Sequence, residues 1–239
     1  MNPILVALDV PAAADALTAA AAVRGHVGGL KVGKQLFTAE GPSLVRALVE
    51  RGDRVFLDLK YHDIPNTVAG AVSAAAVLGI WMVNVHASGG TAMMQAARRA
   101  ADDAAASGGT RPLVIAVTVL TSLDQAGLAA VGVTRALPEH VSALAALAQD
   151  AGLDGVVASP LEIELVRRRC GSGFLIVTPG IRSGPVAPDD DQVRTLSAAA
   201  AVRAGADYLV VGRPILKAAD PAAAARAFQQ EIAGLRSEA

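Results

Sequence analysis

Four charged residues of alternating sign give this sequence its clearest potential for chemistry. Asp58 and Lys60 lie two positions apart at the end of an apolar run, a spacing that places both side chains on one face of a strand. Lys31, in the preceding apolar run, adds a second cation, and Asp63 adds a second carboxylate in the following loop. Because buried charges are costly unless paired, we interpret the group as a catalytic array in preference to a strand-end salt bridge.

A second group of residues is suited to binding an anion. Gly212 and Arg213 follow an apolar run and precede a predicted helix, so backbone N–H groups and a guanidinium fork can meet a phosphate there. Arg182, three residues after Pro179 in the loop that follows the previous apolar run, can converge on the same anion. The alternative is a helix-capping turn that carries a surface arginine.

The elements that would position these residues are eight short apolar runs, separated by alanine-rich segments with helical spacing. Most runs are continuous rather than alternating, as in strands buried on both faces of a parallel sheet. They cover residues 4–8, 29–32, 55–59, 82–85, 113–119, 155–158, 174–177 and 208–211. Eight strand–helix units in 239 residues predict an α/β fold, a TIM (β/α)8 barrel that spans residues 1–239 as a single domain. A doubly wound open sheet is the alternative.

Three segments between the runs carry more specific expectations. Residues 42–51 are predicted to be helical because Pro42 suits the first position of a helix. Residues 124–137 form an extra segment, which we expect to be a short helix or a mobile loop. Residues 180–191 form a long loop that is placed to act as a lid over the carboxyl ends of the strands, where a barrel carries its chemistry.

Composition narrows the classes of function. The chain has 21 Lys+Arg and 22 Asp+Glu, and this net charge of −1 argues against a nucleic-acid-binding face. No apolar run approaches the ~18 residues that a membrane span requires. Cys170 is the single cysteine, and the four histidines lack the spacing of a metal site. We therefore expect a cytoplasmic protein without membrane or nucleic-acid partners and without a bound metal.

The segment from Asp58 to Thr67 reads Asp-Leu-Lys-Tyr-His-Asp-Ile-Pro-Asn-Thr and contains the pattern DxKxxDIPxT. This pattern resembles the signature of the orotidine 5′-phosphate decarboxylase family. The resemblance extends in order along the chain, through the segments at residues 7–9, 30–33, 83–87, 118–122, 178–182, 191–194 and 211–213. It implies a homodimeric barrel that converts orotidine 5′-monophosphate to UMP and CO2, the last step of de novo pyrimidine nucleotide synthesis, without a metal or cofactor.

The resemblance also implies roles for the charged array. Lys60 would protonate C6 of the pyrimidine as CO2 leaves, and Asp58 would lie against the departing carboxylate. Lys31 and Asp63 would complete a Lys-Asp-Lys-Asp array. Three residues in the second half of the motif would reach into the active site of the partner subunit: Asp63, Ile64 and Thr67.

Further positions match the family's substrate-binding residues. By resemblance, Asp9 and Lys31 would contact the ribose, and Thr121 would contact the pyrimidine. The phosphate would be held by residues of the last two loops, namely Pro179, Arg182, Gln192, Gly212 and Arg213. The stretch 183–191, which separates Arg182 from Gln192, is rich in proline and acidic residues and in this respect departs from the family.

Two alternatives use the same barrel. Metal-dependent sugar-phosphate decarboxylases and hexulose-phosphate aldolases share a DxKxxD pattern but hold their metal partly through an acidic residue in the second strand, where this chain has Lys31. The DIPxT continuation also favours the nucleotide enzyme. A non-catalytic phosphate-binding barrel would be expected to have a broken charge array, whereas all four charged residues are present here.

Overall fold

The strands of the protein close into a parallel barrel. The computed structural model describes residues 2–182 and 196–234. The strands are β1 (Ile4–Ala7), β2 (Gly29–Gly33), β3 (Val55–Tyr61), β4 (Met82–His86), β5 (Leu113–Val117), β6 (Gly155–Val157), β7 (Leu175–Thr178) and β8 (Tyr208–Val211). Each strand pairs with its sequence neighbours, and β1 also pairs with β8. The predicted TIM barrel is therefore confirmed, and the open-sheet alternative is wrong because the β1–β8 ladder joins the two edges.

Helices follow the strands and cover the outside of the barrel. Their bounds are α1 (Ala13–Val23), α2 (Lys34–Glu50), α3 (Pro65–Ala76), α4 (Gly90–Ala106), α5 (Gln125–Ala130), α6 (Leu137–Asp150), α7 (Ile163–Cys170), α8 (Ala198–Ala204), α9 (Arg213–Leu216) and α10 (Pro221–Ala233). None of the described helices is long and apolar enough to cross a membrane.

Of the more specific segment predictions, the one at Pro42 differs in detail from the structure, and the short helix after β5 is confirmed. α2 begins at Lys34, well before Pro42, but its path is broken at Gly41, whose φ of 67° is not helical. Pro42 has no N–H to continue the helix from the preceding turn, so the sequence signal at Pro42 identified only the second part of α2. The extra segment after β5 contains the short helix α5, which begins where the Asp124 side chain accepts a hydrogen bond from the Gly127 N–H.

Two apolar layers explain why the strand sequences are nearly continuous runs. Alternate strand residues point into the barrel and pack on one another; they are Leu5, Ala7, Phe56, Met82, Ile115, Val177, Tyr208 and Val210. Their neighbours along each strand, such as Val6 and Leu57, pack outward against the helices. At the N-terminal end of the barrel the ring of Trp81 meets Tyr208 edge-on, with centroids 5.0 Å apart, and Arg54 lies 3.9 Å over the Trp81 ring. This packing leaves the C-terminal end of the barrel for a cavity.

Candidate active site

Three neighbouring strands bring four charged side chains into one continuous network, which we call the lysine array: Asp9, Lys31, Asp58 and Lys60. The Lys60 Nζ lies 2.7 Å from Asp58 Oδ1, and the Lys31 Nζ lies 3.5 Å from Asp58 Oδ2. Lys31 Nζ also lies 3.2 Å from Asp9 Oδ1. Asp58 therefore sits between two ammonium groups, as the alternation of charge in the sequence predicted.

The barrel register explains why residues so far apart in sequence meet. Ala7 pairs with Lys31, so Asp9 follows β1 just above Lys31 of β2. Gly33 pairs with Asp58, which sets Asp58 of β3 at the same end of the barrel. Parallel strands present their carboxyl ends at one rim, and the lysine array lies at that rim.

Lys60 reaches the array through an irregular backbone rather than a regular strand. Its φ is 54°, and among the described residues it is the sole non-glycine with a positive φ. The pairing of β3 with β4 shifts between Leu57 and Tyr61. Strand alternation therefore predicted correctly that Asp58 and Lys60 share a face, but the turn of the backbone at Lys60 was not predicted.

A buried amide supports this turn. Asn84 of β4 is fully buried, and its Oδ1 accepts a hydrogen bond of 2.8 Å from the Lys60 backbone N–H. Its Nδ2 donates a second hydrogen bond of 2.7 Å to Asp58 Oδ1. Sequence reasoning did not single out Asn84, although an amide within the apolar run of β4 is the signal that could have found it.

The protonation state of Asp58 follows from its neighbours. Burial would raise the pKa of the carboxyl, but the Lys31 and Lys60 ammonium groups and the hydrogen bonds from Lys60 and Asn84 together lower the pKa below its usual value. Asp58 is therefore a carboxylate at neutral pH. His86, at the end of β4, also has a shifted pKa, because its burial, and after it the charges of neighbouring residues that include Lys34 and Lys60, lower the pKa to about 4.

A cavity of about 540 Å³ opens above the inner apolar layer, a size within the range of small-ligand sites. It brings together nine of the residues predicted from sequence: Asp9, Lys31, Asp58, Lys60, Thr121, Pro179, Arg182, Gly212 and Arg213. The lysine array and the predicted anion-binding residues thus share one cavity. Lys217, just after α9, also lines it and adds a cation that sequence reasoning missed. Leu120 and Ser159 are further lining residues.

The anion-binding side of the cavity comes from the loops after β7 and β8. Gly212 separates β8 from Arg213, and a Cβ at position 212 would lie 3.3 Å from Asp9 Oδ2 and 3.5 Å from the Ala7 Cβ. A side chain at position 212 would therefore have to displace the Asp9 carboxylate by a few tenths of an ångström. Arg182 is half-buried, and its Nη1 donates a hydrogen bond to the Ile181 carbonyl oxygen.

Three predicted site residues lie apart from the cavity. Asp63, Ile64 and Thr67 are exposed in the β3–α3 connection and the first turn of α3. The Asp63 carboxylate accepts a hydrogen bond from the Ile64 N–H, and the Ile64 side chain remains 67% exposed. Gln192, and the lid segment from residue 183 onward, lie outside the described residues.

The donor set of the site does not suit a metal. Among residues 2–182 and 196–234, no group of three or more histidine, cysteine or acidic side chains is placed to hold an ion. The metal-dependent alternative needs an acidic ligand in β2. This chain has Lys31 there, and its ammonium group would repel a metal ion.

The chain is similar to known proteins along nearly its whole length. The chain matches the model of the orotidine 5′-phosphate decarboxylase / HUMPS family over residues 2–228. It is 57% identical over 230 residues to the orotidine 5′-phosphate decarboxylase of Halorhodospira halophila, covering 96% of this chain and 95% of the relative. It is 55% identical over 230 residues to the enzyme of the same name from Alkalilimnicola ehrlichii, covering 96% of each.

A solved structure extends the likeness to three dimensions. The crystal structure of orotidine 5′-phosphate decarboxylase from Lactobacillus acidophilus has a TM-score of 0.86 and 36% sequence identity, covering 97% of this chain and 99% of that one. The resemblance inferred from the DxKxxDIPxT pattern is thereby confirmed, and so is the enzyme class, since these relatives are named as carboxy-lyases. This chain belongs to the orotidine 5′-phosphate decarboxylase / HUMPS family.

Proposed function

We propose that this protein decarboxylates orotidine 5′-monophosphate to UMP and CO2 by means of the lysine array, without a metal or cofactor. The observation that carries the proposal is the meeting of the Asp9–Lys31–Asp58–Lys60 network with Arg182 and Arg213 in one cavity. The relatives at 55–57% identity bear the name of this activity. The reaction completes pyrimidine nucleotide synthesis, which we place in the cytoplasm.

The two sides of the cavity suit the two ends of a nucleotide. Arg213 and Lys217 follow β8, whereas Lys60 ends β3, and β1 and β2 lie between these two strands. A phosphate bound at the arginines would therefore leave the base over the ends of β2 and β3. Binding energy from the phosphate is then available to orient the base, although the phosphate takes no part in the chemistry. Asp9, beside Lys31 on the path between them, is placed to accept hydrogen bonds from the ribose.

The chemical step needs a cation at the carbon that loses CO2. When the bond between C6 and the carboxylate breaks, its electron pair stays on C6, and no adjacent carbonyl delocalises it. The Lys60 ammonium would stabilise this charge and then donate its proton to C6, after which the neutral amine regains a proton from water. The hydrogen bond to Asp58 Oδ1 holds the Lys60 Nζ in place for this transfer.

Asp58 is suited to destabilise the bound substrate. It is ionised because its lowered pKa keeps it a carboxylate at neutral pH. A substrate carboxylate placed beside it would be repelled, and the repulsion would be relieved as neutral CO2 leaves. Lys31, which pairs with both Asp58 and Asp9, keeps Asp58 from turning away from the site.

The protein would work as a homodimer with shared sites. Asp63, Ile64 and Thr67 are exposed and lie away from the cavity of their own chain. The resemblance of the DIPxT segment to its family supports insertion of this loop into the partner's cavity, where Asp63 would join the lysine array as a fifth charge and complete the Lys-Asp-Lys-Asp alternation.

The direct test follows the loss of orotidine 5′-monophosphate absorbance with purified protein in excess EDTA. We expect full turnover that added Mg²⁺ does not increase. Absence of turnover, or turnover that depends on added metal, would contradict the proposal. A hexulose phosphate supplied with Mg²⁺ serves as the control for the metal-dependent alternative, and we expect no reaction with it.

A further inference from the structure

We infer that Asn84 is a positioning residue for the decarboxylation, one that holds the Lys60 backbone in its turned conformation and fixes the Asp58 carboxylate at the same time. The inference deepens the proposed function and rests on it. No role was assigned to Asn84 from the motif, because it lies on a different strand, β4, and does not line the cavity.

The orientation of the Asn84 amide is fixed by its two partners. The Lys60 backbone N–H can only donate, so it must face the Asn84 Oδ1, 2.8 Å away. The ionised Asp58 can only accept, so its Oδ1 must face the Asn84 Nδ2, 2.7 Å away. Since Asn84 is 0% exposed, no water competes for either bond. A single planar group therefore sets the distance between the Lys60 backbone and the Asp58 carboxylate.

Asn84 supplies the partner of the Lys60 N–H at an irregular point of the sheet. The register of β3 and β4 shifts between Leu57 and Tyr61, and the Lys60 N–H there bonds to the Asn84 side chain instead of a backbone carbonyl. A left-handed backbone is unfavourable for a residue with a Cβ and persists only where its surroundings enforce it. The hydrogen bond from Lys60 to Asn84 supplies that enforcement, and the turn directs the Lys60 side chain back over Asp58.

The Asn84 amide also fixes which partner each carboxylate oxygen of Asp58 contacts. Asp58 Oδ1 accepts from both Asn84 Nδ2 and Lys60 Nζ, at 2.7 Å each, whereas Oδ2 faces Lys31 at 3.5 Å. With Oδ1 anchored from below by the amide, the carboxylate cannot rotate away from Lys60. Loss of the anchor would free both charged groups to move, and misplacement by about 1 Å is enough to cost about 100-fold in rate.

Two variants separate the two hydrogen bonds. Asn84→Leu is close in size and removes both of them. Asn84→Asp keeps an acceptor for the Lys60 N–H but places a carboxylate against Asp58 in place of a donor. The matched control is Thr118→Val, because Thr118 directly follows β5, is buried, donates one hydrogen bond to the Val157 carbonyl, and does not itself line the cavity.

Steady-state kinetics provide the first readout. For Asn84→Leu we expect kcat to fall by about 100-fold while the KM and the Kd for UMP change less than about threefold, since positioning acts on the chemical step. The acid limb of the kcat profile should move to higher pH, because Asp58 loses a donor that lowers its pKa while Lys31 and Lys60 remain. Thr118→Val should keep kcat within about twofold and the wild-type pH profile.

A kcat for Asn84→Leu within about fivefold of wild type would overturn the inference, and so would equal losses in kcat and UMP affinity with an unchanged pH profile. If Asn84→Leu does not fold, Asn84→Asp carries the same test, and we expect its kcat loss to be at least as large.

The second readout does not depend on activity and so separates this inference from the proposed function. Crystal structures of wild type and of the Asn84 variants report the φ of Lys60 and the distance from its Nζ to Asp58. We expect Lys60 to leave the left-handed region in Asn84→Leu. An unchanged Lys60 would contradict the inference, whereas wild-type protein that fails to decarboxylate would contradict only the proposed function.

Discussion

Two networks of alternating charge lie at opposite ends of this barrel, and they are built from different cations. At the N-terminal ends of β5 and β6, Arg111 lies 2.7 Å from Asp102 and 2.9 Å from Asp154, and Arg98 contacts both acids. We call this group the arginine network. At the C-terminal ends of β1 to β3, the lysine array uses compact ammonium groups instead.

The networks differ in how fully their donors and acceptors are used. In the arginine network, Asp154 also accepts a hydrogen bond from the Val114 N–H, and Arg98 also donates to the Gly152 carbonyl. In the lysine array, Lys60 Nζ bonds to one carboxylate among the described residues, although an ammonium has three donors. The comparison teaches that a satisfied network holds elements together, whereas a network with donors left facing a cavity is available to a ligand.

The largest effect is expected from removing the cation that faces the reacting carbon. Lys60→Ala should lower kcat by on the order of 10⁴-fold or more, because it removes both the proton donor and the charge that stabilises C6. The Kd for UMP, measured by calorimetry, should change far less, since Arg182 and Arg213 remain. A kcat within about tenfold of wild type would show that Lys60 is not the proton donor.

Mixing two inactive variants tests whether the lysine array gains a fifth charge, Asp63, from the partner subunit. After Lys60→Ala and Asp63→Ala chains are unfolded together and refolded in equal amounts, about a quarter of the sites should contain both Lys60 and Asp63. Activity should therefore return to about a quarter of the wild-type level. Homodimers of each variant refolded alone are the control, and a mixture that stays as inactive as they are would exclude shared sites.

Arg213→Ala tests the binding side of the cavity. It should raise the KM for the phosphorylated substrate by about 10- to 100-fold with a smaller effect on kcat, because the lost bidentate contact is made equally before and during the reaction. Lys217→Ala is the companion variant, and its effect should be smaller because an exposed lysine makes a weaker, single-point contact. Equal KM values for wild type and Arg213→Ala would show that Arg213 does not bind the phosphate of the substrate.

The arginine network should respond in the opposite way from the lysine array. Arg111→Met keeps the aliphatic stem but removes one of the two arginines that Asp102 and Asp154 share, which should lower the free energy of unfolding by about 1–3 kcal/mol. Urea unfolding measures this loss, and kcat at low temperature should stay within about twofold of wild type. A large fall in kcat with unchanged stability would contradict the view that the arginine network is structural and the lysine array catalytic.

The smallest effect concerns pH and stability near the lysine array. The pKa of His86 is lowered to about 4 in the folded protein, so between about pH 6.5 and 4 the unfolded chain binds a proton that the folded chain does not. Stability should therefore fall as the pH drops through this window. His86→Gln should flatten the slope of unfolding free energy against pH there, and an unchanged slope would show that the pKa of His86 is not lowered in the folded protein.

The sequence predicted the parts of this site that are local in the chain. The DxKxxD pattern lies within one strand and its loop, so the pairing of Asp58 with Lys60 followed from alternation alone. The eight apolar runs predicted the barrel because parallel strands are buried on both faces. Arg213 was predicted because the loop after the last strand has the composition of an anion site.

What the sequence did not predict depends on contacts across strands. Asn84 acts through the side chain and backbone of β3, and its partners are set by a shift in register that no periodicity reveals. The left-handed turn at Lys60 was missed because lysine has no preference for it. Lys217 enters the cavity because α9 is short, and helix length at this position was not evident from composition.

The central claim is that Lys60 exchanges a proton with C6, and the reverse of that step can be measured on the product. UMP incubated with the protein in D2O should lose its C6–H signal in the proton NMR spectrum, because the proton that Lys60 donates in the forward direction is removed by the same group in reverse. The account predicts exchange with wild type and none above the uncatalysed rate with Lys60→Ala that still binds UMP. Equal exchange in the two proteins would contradict it.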